Sequence, residues 1–404
     1  MGGLPWLEPV EPFSFLVVGC IPLRVFMPAA GNRTKKQVEK KIRYGIVGLG
    51  HIAQVAVLPA FAHAENSELV ALVSDDPEKL EKLGRRYKVK ARYSYDQFDE
   101  CLQSGILDAV YIALPNHLHR EYTERAARAG VHVLCEKPMA VTEEDCLAMI
   151  RAADENGVKL MVAYRLHFEE ANLKAIDLVQ GGKLGDPRLF ESVFTMQVKP
   201  GDIRLNPRDL GGGPLYDIGI YCINAVRNIF GAEPMEVVAF SANNGEPRFQ
   251  QCEEMTGAIL RFPGRERLAS FTCRFNGADV STYRVVGTKG QLVMDPAYEY
   301  AGELKQRVTV DGRTRERSFP KRDQFAPELV SFSECILTGA APEPSGWEGL
   351  ADVRVIRALY RSADTGQPVA LEPFIREDRP SLEQEIRRPP VSKPDLVNTE
   401  SPTK

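Results

Sequence analysis

The chain has 404 residues, of which 44% are hydrophobic, so it is long enough for one large or two ordinary domains with a sizeable core. A formal net charge of −4 argues against a nucleic-acid partner. No apolar run reaches the roughly eighteen residues that a membrane span needs. The eight cysteines include no CxxC pair, which is typical of reduced core residues in a cytoplasmic protein.

Residues 1–40 are rich in proline and glycine and predict a flexible arm rather than a folded element. The short apolar run at 13–19 ends beside Cys20 and resembles a lipoprotein cleavage site. A secretion signal begins with basic residues, however, whereas Glu8 and Glu11 precede this run. We therefore expect a cytoplasmic location and keep export to the periplasm as the alternative.

Residues 41–164 alternate apolar strands with helical segments. Strands are predicted at 42–47, 69–73, 109–113, 131–135 and 160–163, and helices near 52–64, 77–87, 95–103, 119–129 and 142–156. This alternation predicts an α/β domain with a parallel, doubly wound sheet and right-handed crossovers.

The pattern changes over residues 165–375. Strands predicted at 189–198, 235–241, 256–262, 267–275 and 291–294 follow one another with few helices between them. Helices are predicted at 172–180, 217–229, 327–337 and 349–365, the last packing back on the first domain. The pattern predicts an α+β domain with a large, mostly antiparallel open sheet. Residues 376–404 are charged and proline-rich and predict a disordered tail.

A glycine-rich turn follows the first predicted strand and opens a helix. Its sequence is Gly48-Leu49-Gly50-His51-Ile52-Ala53. Gly48 allows a tight turn, Gly50 lets backbone N–H groups approach a pyrophosphate, and the small Ala53 lets the helix pack on the strand. The strand before the turn and the helix after it make this a dinucleotide-binding motif.

The end of the second strand bears on the choice of dinucleotide. Ser74 and Lys79 predict NADP, because a hydroxyl and a positive charge can bind its 2′-phosphate. Alternatively, Asp75 binds the ribose 2′-hydroxyl of NAD. A third interpretation is that these residues only cap the following helix.

Two further segments end predicted strands. Glu136-Lys137-Pro138 follows the strand at 131–135, so Lys137 points into the crevice where open α/β sheets bind ligands. Leu114, Pro115, Asn116 and His119 follow the strand at 109–113. The His-x-His spacing of the second segment invites a metal site, but no acid or cysteine cluster completes a coordination shell. We therefore predict no metal and assign the loop to the cofactor.

Glycines 211–213 precede a predicted helix on which Asp217 and Tyr221 lie four residues apart. This spacing places a carboxylate and a phenol on one face, where they can bind neighbouring sugar hydroxyls and move a proton. Alternatively, Asp217 interacts only with the helix terminus and Tyr221 belongs to the core.

These segments together resemble the Gfo/Idh/MocA oxidoreductases, and most closely the branch of glucose–fructose oxidoreductase and related aldose oxidoreductases. The resemblance covers about residues 42–370 and is carried by residues 44–50, 110–116, 135–140, 164–165, 211–224 and 292–297. It implies a Rossmann domain, followed by an open sheet whose face closes over the nicotinamide. We also expect two or four copies of the chain to associate through this sheet.

The resemblance also implies roles for individual residues. It places Lys137 at the reacting oxygen, Tyr221 at the proton transfer, Asp217 on a sugar hydroxyl and Arg165 near the nicotinamide. It assigns Ser74 and Lys79 to the 2′-phosphate of NADP.

One position departs from the branch in the predicted substrate pocket. Ile203 stands where the branch has tryptophan, although the adjacent Arg204 is retained, so the sugar pocket is expected to differ.

The expected reaction is hydride transfer between NADP and a sugar, either oxidation of an aldose to its lactone or reduction of a sugar carbonyl. In the oxidation, Tyr221 takes the C1 hydroxyl proton while the charge of Lys137 favours the developing oxyanion. Two alternatives remain: redox-assisted glycoside hydrolysis with a recycled NAD, and a non-catalytic nucleotide-bound sensor.

Overall fold

The first half of the fold is a six-stranded parallel sheet with strand order β3-β2-β1-β4-β5-β6. The strands are β1 (Ile42–Val47), β2 (Ser67–Val73), β3 (Ala91–Tyr93), β4 (Ala109–Ile112), β5 (His132–Glu136) and β6 (Leu160–Ala163). Strands β4 and β6 are buried along their whole length, as expected for strands covered on both faces. The computed structural model describes residues 40–264, 266–376 and 378–403. The predicted parallel, doubly wound sheet is confirmed, and β3 is an addition to the predicted strands.

Helices connect these strands. They are α1 (Leu58–Ala60), set between a π-helical turn (Ala53–Val57) and a 3₁₀ turn (Phe61–His63), α2 (Pro77–Arg86), α3 (Phe98–Gln103), α4 (His119–Arg128) and α5 (Glu143–Glu155). Asp76 caps α2 by accepting hydrogen bonds from two backbone N–H groups, and Thr142 caps α5 in the same way with one. The strand order reverses between β1 and β4, which places a crevice at the carboxyl ends of these two strands.

The second half is a nine-stranded sheet with strand order β14-β13-β12-β11-β7-β10-β9-β8-β15. Its strands are β7 (Pro187–Met196), β8 (Glu236–Ala242), β9 (Met255–Arg261), β10 (Leu268–Phe275), β11 (Val280–Gly287), β12 (Gly290–Met294), β13 (Leu304–Val310), β14 (Arg313–Phe319) and β15 (Val369–Ala370). Among the described residues of this sheet, only the pairing of β7 with β10 is parallel. The predicted mostly antiparallel sheet is confirmed, with β11, β13 and β14 as additional long strands.

Four helices accompany the second sheet: α6 (Glu170–Gln180), α7 (Ile220–Phe230), α8 (Ala326–Thr338) and α9 (Gly346–Thr365). Helix α9 contacts β8 of the second sheet as well as α5 and β6 of the first half. The predicted return of the last helix to the first domain is therefore observed. Helix α8 also contacts β1 and β2, so residues from late in the chain lie beside the first sheet.

Residues 378–403 differ from the predicted disordered tail. Arg379 donates to Glu233, Arg388 donates to Glu65, and Val397 is buried with only 5% of its surface exposed. The charges that suggested disorder find fixed carboxylate partners on the body of the protein. The predicted arm at residues 1–40 lies outside the described residues, except for Lys40.

Within residues 40–264, 266–376 and 378–403, no helix is long and apolar enough to cross a membrane. In the same ranges, no group of three histidine, cysteine or acidic side chains is placed to hold a metal. The seven cysteines described by the structure are free and buried.

Candidate active site

A cleft of about 670 Å³ lies between the glycine-rich turn, the ends of β4, β5 and β6, and the second sheet. It is lined by most of the predicted site residues: Gly50, His51, Ile52, Leu114, Pro115, Asn116, Glu136, Lys137, Arg165, Arg204, Asp217 and Tyr221. The predicted residues outside its lining are Gly48, Leu49, Ser74, Lys79 and His119. Twelve of the predicted residues therefore lie along one cleft, and five lie outside its lining.

The glycine-rich turn fits the pyrophosphate of a dinucleotide. Gly48 has φ +93°, and a Cβ added there would lie 2.5 Å from the carbonyl oxygen of Ala113, so the tight turn requires glycine. A Cβ added at Gly50 would meet no atom within 4 Å, so the backbone is open to a ligand at this point. Leu49, in contrast, is 2% exposed and packs in the core.

Lys137 is held at the end of β5 by Asp217. Its Nζ donates to the Asp217 carbonyl oxygen at 2.7 Å and to Oδ1 at 3.3 Å. Burial lowers the pKa of Lys137, but the neighbouring Tyr221, Asp217 and Glu136 outweigh burial and leave it above its ordinary value. The ammonium group is therefore charged at neutral pH, as a group that stabilises an oxyanion must be.

Asp217 stands between two cations. Its Oδ2 accepts a hydrogen bond from Arg204 Nε at 2.8 Å, while Oδ1 faces Lys137. Burial raises the pKa of Asp217, but Arg204 and Lys137 outweigh burial and hold it below its usual range. Arg204 is fixed in turn by Asp202, whose Oδ1 lies 3.1 Å from Arg204 Nη1. The carboxylate is thus ionised and oriented toward the cleft floor.

The Tyr221 ring lies against two positive groups. Lys137 Nζ is 4.9 Å from the ring centroid, and the guanidinium carbon of Arg165 is 5.0 Å from it. The ring also packs edge-on against Phe194 of β7. The predicted pair of Asp217 and Tyr221 is therefore brought together with Lys137, although Asp217 lies in a π-helical turn (Leu215–Gly219) and Tyr221 in α7.

Two loops from different halves of the fold meet beside this group. Asn116 Nδ2 donates to the carbonyl oxygen of Gly211 at 2.8 Å, joining the loop after β4 to the glycines before Asp217. His119, which the sequence assigned to the cofactor, is instead fully buried. Its ring nitrogens lie 2.9 Å from the carbonyl oxygens of Leu114 and Pro138, so it holds the two strand-end loops together from below.

Glu136 lies beneath the lysine rather than beside it. Its Oε1 accepts a hydrogen bond from the Tyr111 hydroxyl at 2.8 Å. Burial raises the pKa of Glu136, with Lys137 and Tyr111 partly offsetting the effect. Glu328 of α8 is also fully buried, and burial together with Glu136 raises its pKa far above its usual range. Nothing in the local sequence around Glu328 pointed to the site, because it comes from a distant helix.

The end of β2 shows how Ser74 and Lys79 are placed. Ser74 Oγ accepts a hydrogen bond from Asp76 N at 3.3 Å, and Lys79 Nζ lies 3.9 Å from Asp76 Oδ2. Asp75 Oδ1 accepts from the backbone N–H of Tyr95 at 2.8 Å. Asp76 is the helix cap, which agrees with the capping interpretation for that residue. The carboxylate of Asp75 is therefore hydrogen-bonded to the backbone of the loop that follows β3.

Among the cleft residues that were not predicted, Tyr298, Tyr300 and Gln324 contact the predicted Arg165. Arg165 donates to the side chain of Gln324 and to the carbonyl oxygen of Tyr298, and its guanidinium carbon lies 5.3 Å from the Tyr300 ring centroid. Tyr298 and Tyr300 follow the segment at 292–297 that carried part of the resemblance, so their aromatic spacing was an available signal. Gln324 offered none.

The fold and this cleft together define a dinucleotide-dependent oxidoreductase. The family model described as "Oxidoreductase family, NAD-binding Rossmann fold" matches residues 42–164, and the "GFO/IDH/MocA C-terminal domain" matches residues 172–293. The chain belongs to the Gfo/Idh/MocA oxidoreductase family, as its sequence motifs predicted.

The matches to individual relatives extend over nearly the whole length of each relative. The chain is 32% identical to a D-xylose 1-dehydrogenase [NADP(+)] from Haloarcula marismortui, over 83% of this chain and 94% of the relative. It is 43% identical to an aldose-aldose oxidoreductase from Caulobacter crescentus, solved with glycerol, with a TM-score of 0.78 over 82% of this chain and 100% of the other. A 3-ketoreductase from Actinomadura kijaniata, solved with NADP and TDP-benzene, matches with a TM-score of 0.73 at 28% identity over 80% and 98% of the two chains.

Proposed function

We propose that this protein is an NADP-dependent oxidoreductase that transfers hydride between the nicotinamide and a sugar, oxidising an aldose to its lactone or reducing a sugar carbonyl. The observation that carries this proposal is the grouping of Lys137, Asp217 and Tyr221 in one cleft with the open glycine turn. The names of the relatives support both the sugar substrate and NADP.

Each of the three residues has a task that its geometry supports. Bound NADP supplies the hydride acceptor. Among the described residues, Lys137 Nζ uses two of its three N–H groups on Asp217, which leaves the third for the substrate oxygen. Its charge stabilises the oxyanion that forms there. Tyr221 would act as general base in its phenolate form: it would take the proton of the C1 hydroxyl and become a phenol as the hydride leaves C1. The ionised Asp217 accepts a hydrogen bond from a neighbouring sugar hydroxyl.

The preference for NADP rests on the end of β2. We propose that Ser74 and Lys79 bind the 2′-phosphate, the lysine turning from Asp76 toward the more highly charged phosphate.

Lys79→Ala should then weaken NADP binding by about 1–3 kcal/mol and leave NAD binding nearly unchanged. The measurement is fluorescence titration with NADPH and NADH. Lys82→Ala on the same helix, where Lys82 pairs with Glu78 at 2.5 Å, is the matched control. Equal weakening of both cofactors would remove Lys79 from this role.

The two alternative functions fit less well. A nucleotide-bound sensor needs neither a charged lysine nor a phenol at the cleft floor. A redox-assisted glycoside hydrolase would use the same dinucleotide site but would release reducing sugar without net NADPH. The relatives described above are named as a D-xylose 1-dehydrogenase, an aldose-aldose oxidoreductase and a 3-ketoreductase.

We also propose that copies of this chain associate through the open face of the nine-stranded sheet. The strand register places Phe240, Ile259, Leu268, Val193 and Val280 on one face. Phe240 is 72% exposed and Ile259 is 50% exposed. An apolar patch of this kind typically marks an interface. The seven free, buried cysteines support a cytoplasmic location for the assembly.

The test of the function is a steady-state assay of the purified protein with NADP and a panel of cyclic aldoses, with lactone detected as product. We expect NADP reduction with at least one aldose, and NADPH oxidation when a sugar carbonyl is offered. Incubation with glycosides in parallel separates the alternative, because release of reducing sugar without a net change in NADPH would favour hydrolysis. Binding of NADPH without turnover of any sugar would favour the sensor.

A further inference from the structure

The end of the chain runs along the mouth of the active-site cleft. Seven residues of the segment 391–403, here called the outer segment, line the cleft: Val391, Lys393, Thr399, Glu400, Ser401, Pro402 and Thr403. None of the catalytic assignments above involves them. The outer segment adds a wall on the side that the two sheets leave open.

The middle of the outer segment is hydrogen-bonded to the helical turn that follows the glycine turn. Gln54 Nε2 donates to the carbonyl oxygen of Val397 at 2.9 Å, and the N–H of Val397 donates to Gln54 Oε1 at 2.8 Å. Gln54 has no exposed surface and Val397 only 5%. Nearby, Arg86 donates to the carbonyl oxygen of Asp395 at 2.7 Å. The buried amide of Gln54 both donates to and accepts from the backbone of Val397, and this pair of hydrogen bonds fixes the position of the segment.

The last residues of the outer segment, Pro402 and Thr403, are hydrogen-bonded to the second half of the fold. The N–H of Lys199 donates to the carbonyl oxygen of Pro402 at 2.9 Å, and Val198 forms an isolated β-bridge with Thr403. Lys199 follows β7, whose last residues also line the cleft. The outer segment therefore reaches from the dinucleotide-binding half to the substrate-binding half, and a ligand in the cleft lies behind it.

Two charged side chains of the outer segment line the cleft: Glu400, whose carboxylate lies 3.2 Å from Lys199 Nζ, and Lys393. Lys393 lines the same cleft as the glycine turn. Burial, followed by Arg204 and Lys393, lowers the pKa of His51 to about 4, so His51 stays neutral and the turn lies in a positive field. A pyrophosphate is the group that such a field and an open glycine backbone bind.

We propose that the outer segment is the outer wall of the dinucleotide site, that Lys393 binds the cofactor's pyrophosphate, and that the segment must move away before the cofactor leaves. This proposal rests on the proposed function, since it requires NADP in the cleft. It adds a cofactor-binding element to the glycine turn and makes the release of the cofactor dependent on the last residues of the chain.

The experiment measures NADPH release directly. Protein loaded with NADPH is mixed with excess NADP, and the loss of bound NADPH fluorescence gives the dissociation rate. The chain lacking residues 391–404 should release NADPH at least about tenfold faster, because most changes in affinity appear in dissociation. Lys393→Ala should also weaken binding, the loss should shrink at high ionic strength, and Lys393→Arg should restore affinity. Lys305→Ala, at an exposed lysine on β13, is the control.

Three outcomes would overturn the proposal. Release from the shortened chain at the intact rate would show that the outer segment holds nothing. Tighter NADPH binding by the shortened chain would show that the segment occupies the site and competes with the cofactor. Failure of the intact chain to bind NADPH would overturn the proposed function as well, whereas the first two outcomes leave that function standing.

Discussion

Lys137 is a largely buried, charged side chain on the cleft, and we propose that its charge acts on the substrate oxygen. Lys137→Met keeps the length and apolar stem of the side chain but removes the charge that faces the substrate oxygen. We expect folding and NADPH binding to persist and hydride transfer to slow by about a hundredfold or more. Single-turnover absorbance at saturating NADP and aldose measures the step. The control is Lys305→Met, and turnover of Lys137→Met close to that of the intact protein would refute the assignment.

Tyr221 and Asp217 should affect different kinetic constants although they line the same cleft. Tyr221→Phe removes one oxygen with little change in packing and should lower kcat by about a hundredfold to ten-thousandfold. Asp217→Asn removes the charge but keeps the shape, so its effect should fall mainly on the KM for the sugar.

Steady-state kinetics with several aldoses across the accessible pH range separates the two effects. If Tyr221→Phe keeps the turnover of the intact enzyme and the same increase in turnover toward alkaline pH, Lys137 rather than Tyr221 carries the proton. A KM unchanged in Asp217→Asn for every sugar would remove Asp217 from substrate binding.

The residues that sequence could identify are those whose neighbours along the chain already define their surroundings. Lys137 follows a strand, and Asp217 follows three glycines, so a local pattern predicts where each side chain points. His119 has a similar local pattern, yet the carbonyl oxygens of Leu114 and Pro138 draw its ring under the loops. Gln324 reaches Arg165 from a distant part of the chain, which no local pattern can predict.

Between elements, a buried cluster of charges joins α7 to α9. Arg227 has no exposed surface, and its guanidinium nitrogens lie 3.0 Å from Glu348 and 2.6 Å from Glu233. Arg227→Met would leave Glu348 in the interior without its main cation. We expect a loss of about 3–5 kcal/mol in the free energy of unfolding.

Urea denaturation followed by circular dichroism measures this loss. Arg85→Met is the control, because Arg85 forms a pair with Glu81 that is largely exposed to solvent and should contribute about 0–1 kcal/mol. Similar values for the two variants would show that the buried cluster does not stabilise the contact of α7 with α9.

Strand β14 was not predicted, because charged rather than apolar residues fill it. β14 has the sequence RTRERSF, and its residues are exposed except for the last, because it lies at the edge of the sheet. Its partner β13 supplies the backbone hydrogen bonds that keep it extended. The outer segment is a similar case, since Gln54 and Lys199, both far away in sequence, hold a stretch whose composition suggests disorder.

For the whole molecule, the open sheet face predicts the assembly. Phe240→Lys places a charge at the most exposed of the apolar residues named for the proposed interface, where it would lose its hydration on association. Light scattering coupled to size-exclusion chromatography should give a dimer or tetramer for the intact chain and a smaller mass for the variant. Leu337→Lys, at a comparably apolar position 38% exposed on α8, should leave the mass unchanged. A monomeric intact chain would refute this interface.

The place of β7 in the nine-stranded sheet has a consequence for how the protein folds. β7 is the first of these strands to be synthesised, yet it lies between β10 and β11, which come much later. β8, β9 and β10 can pair locally as one ribbon, and β11 to β14 as another, whereas joining the ribbons requires β7 and the closure of a long loop. We therefore expect insertion of β7 to be the slow step, with both of its edges open to other chains until the last ribbon emerges.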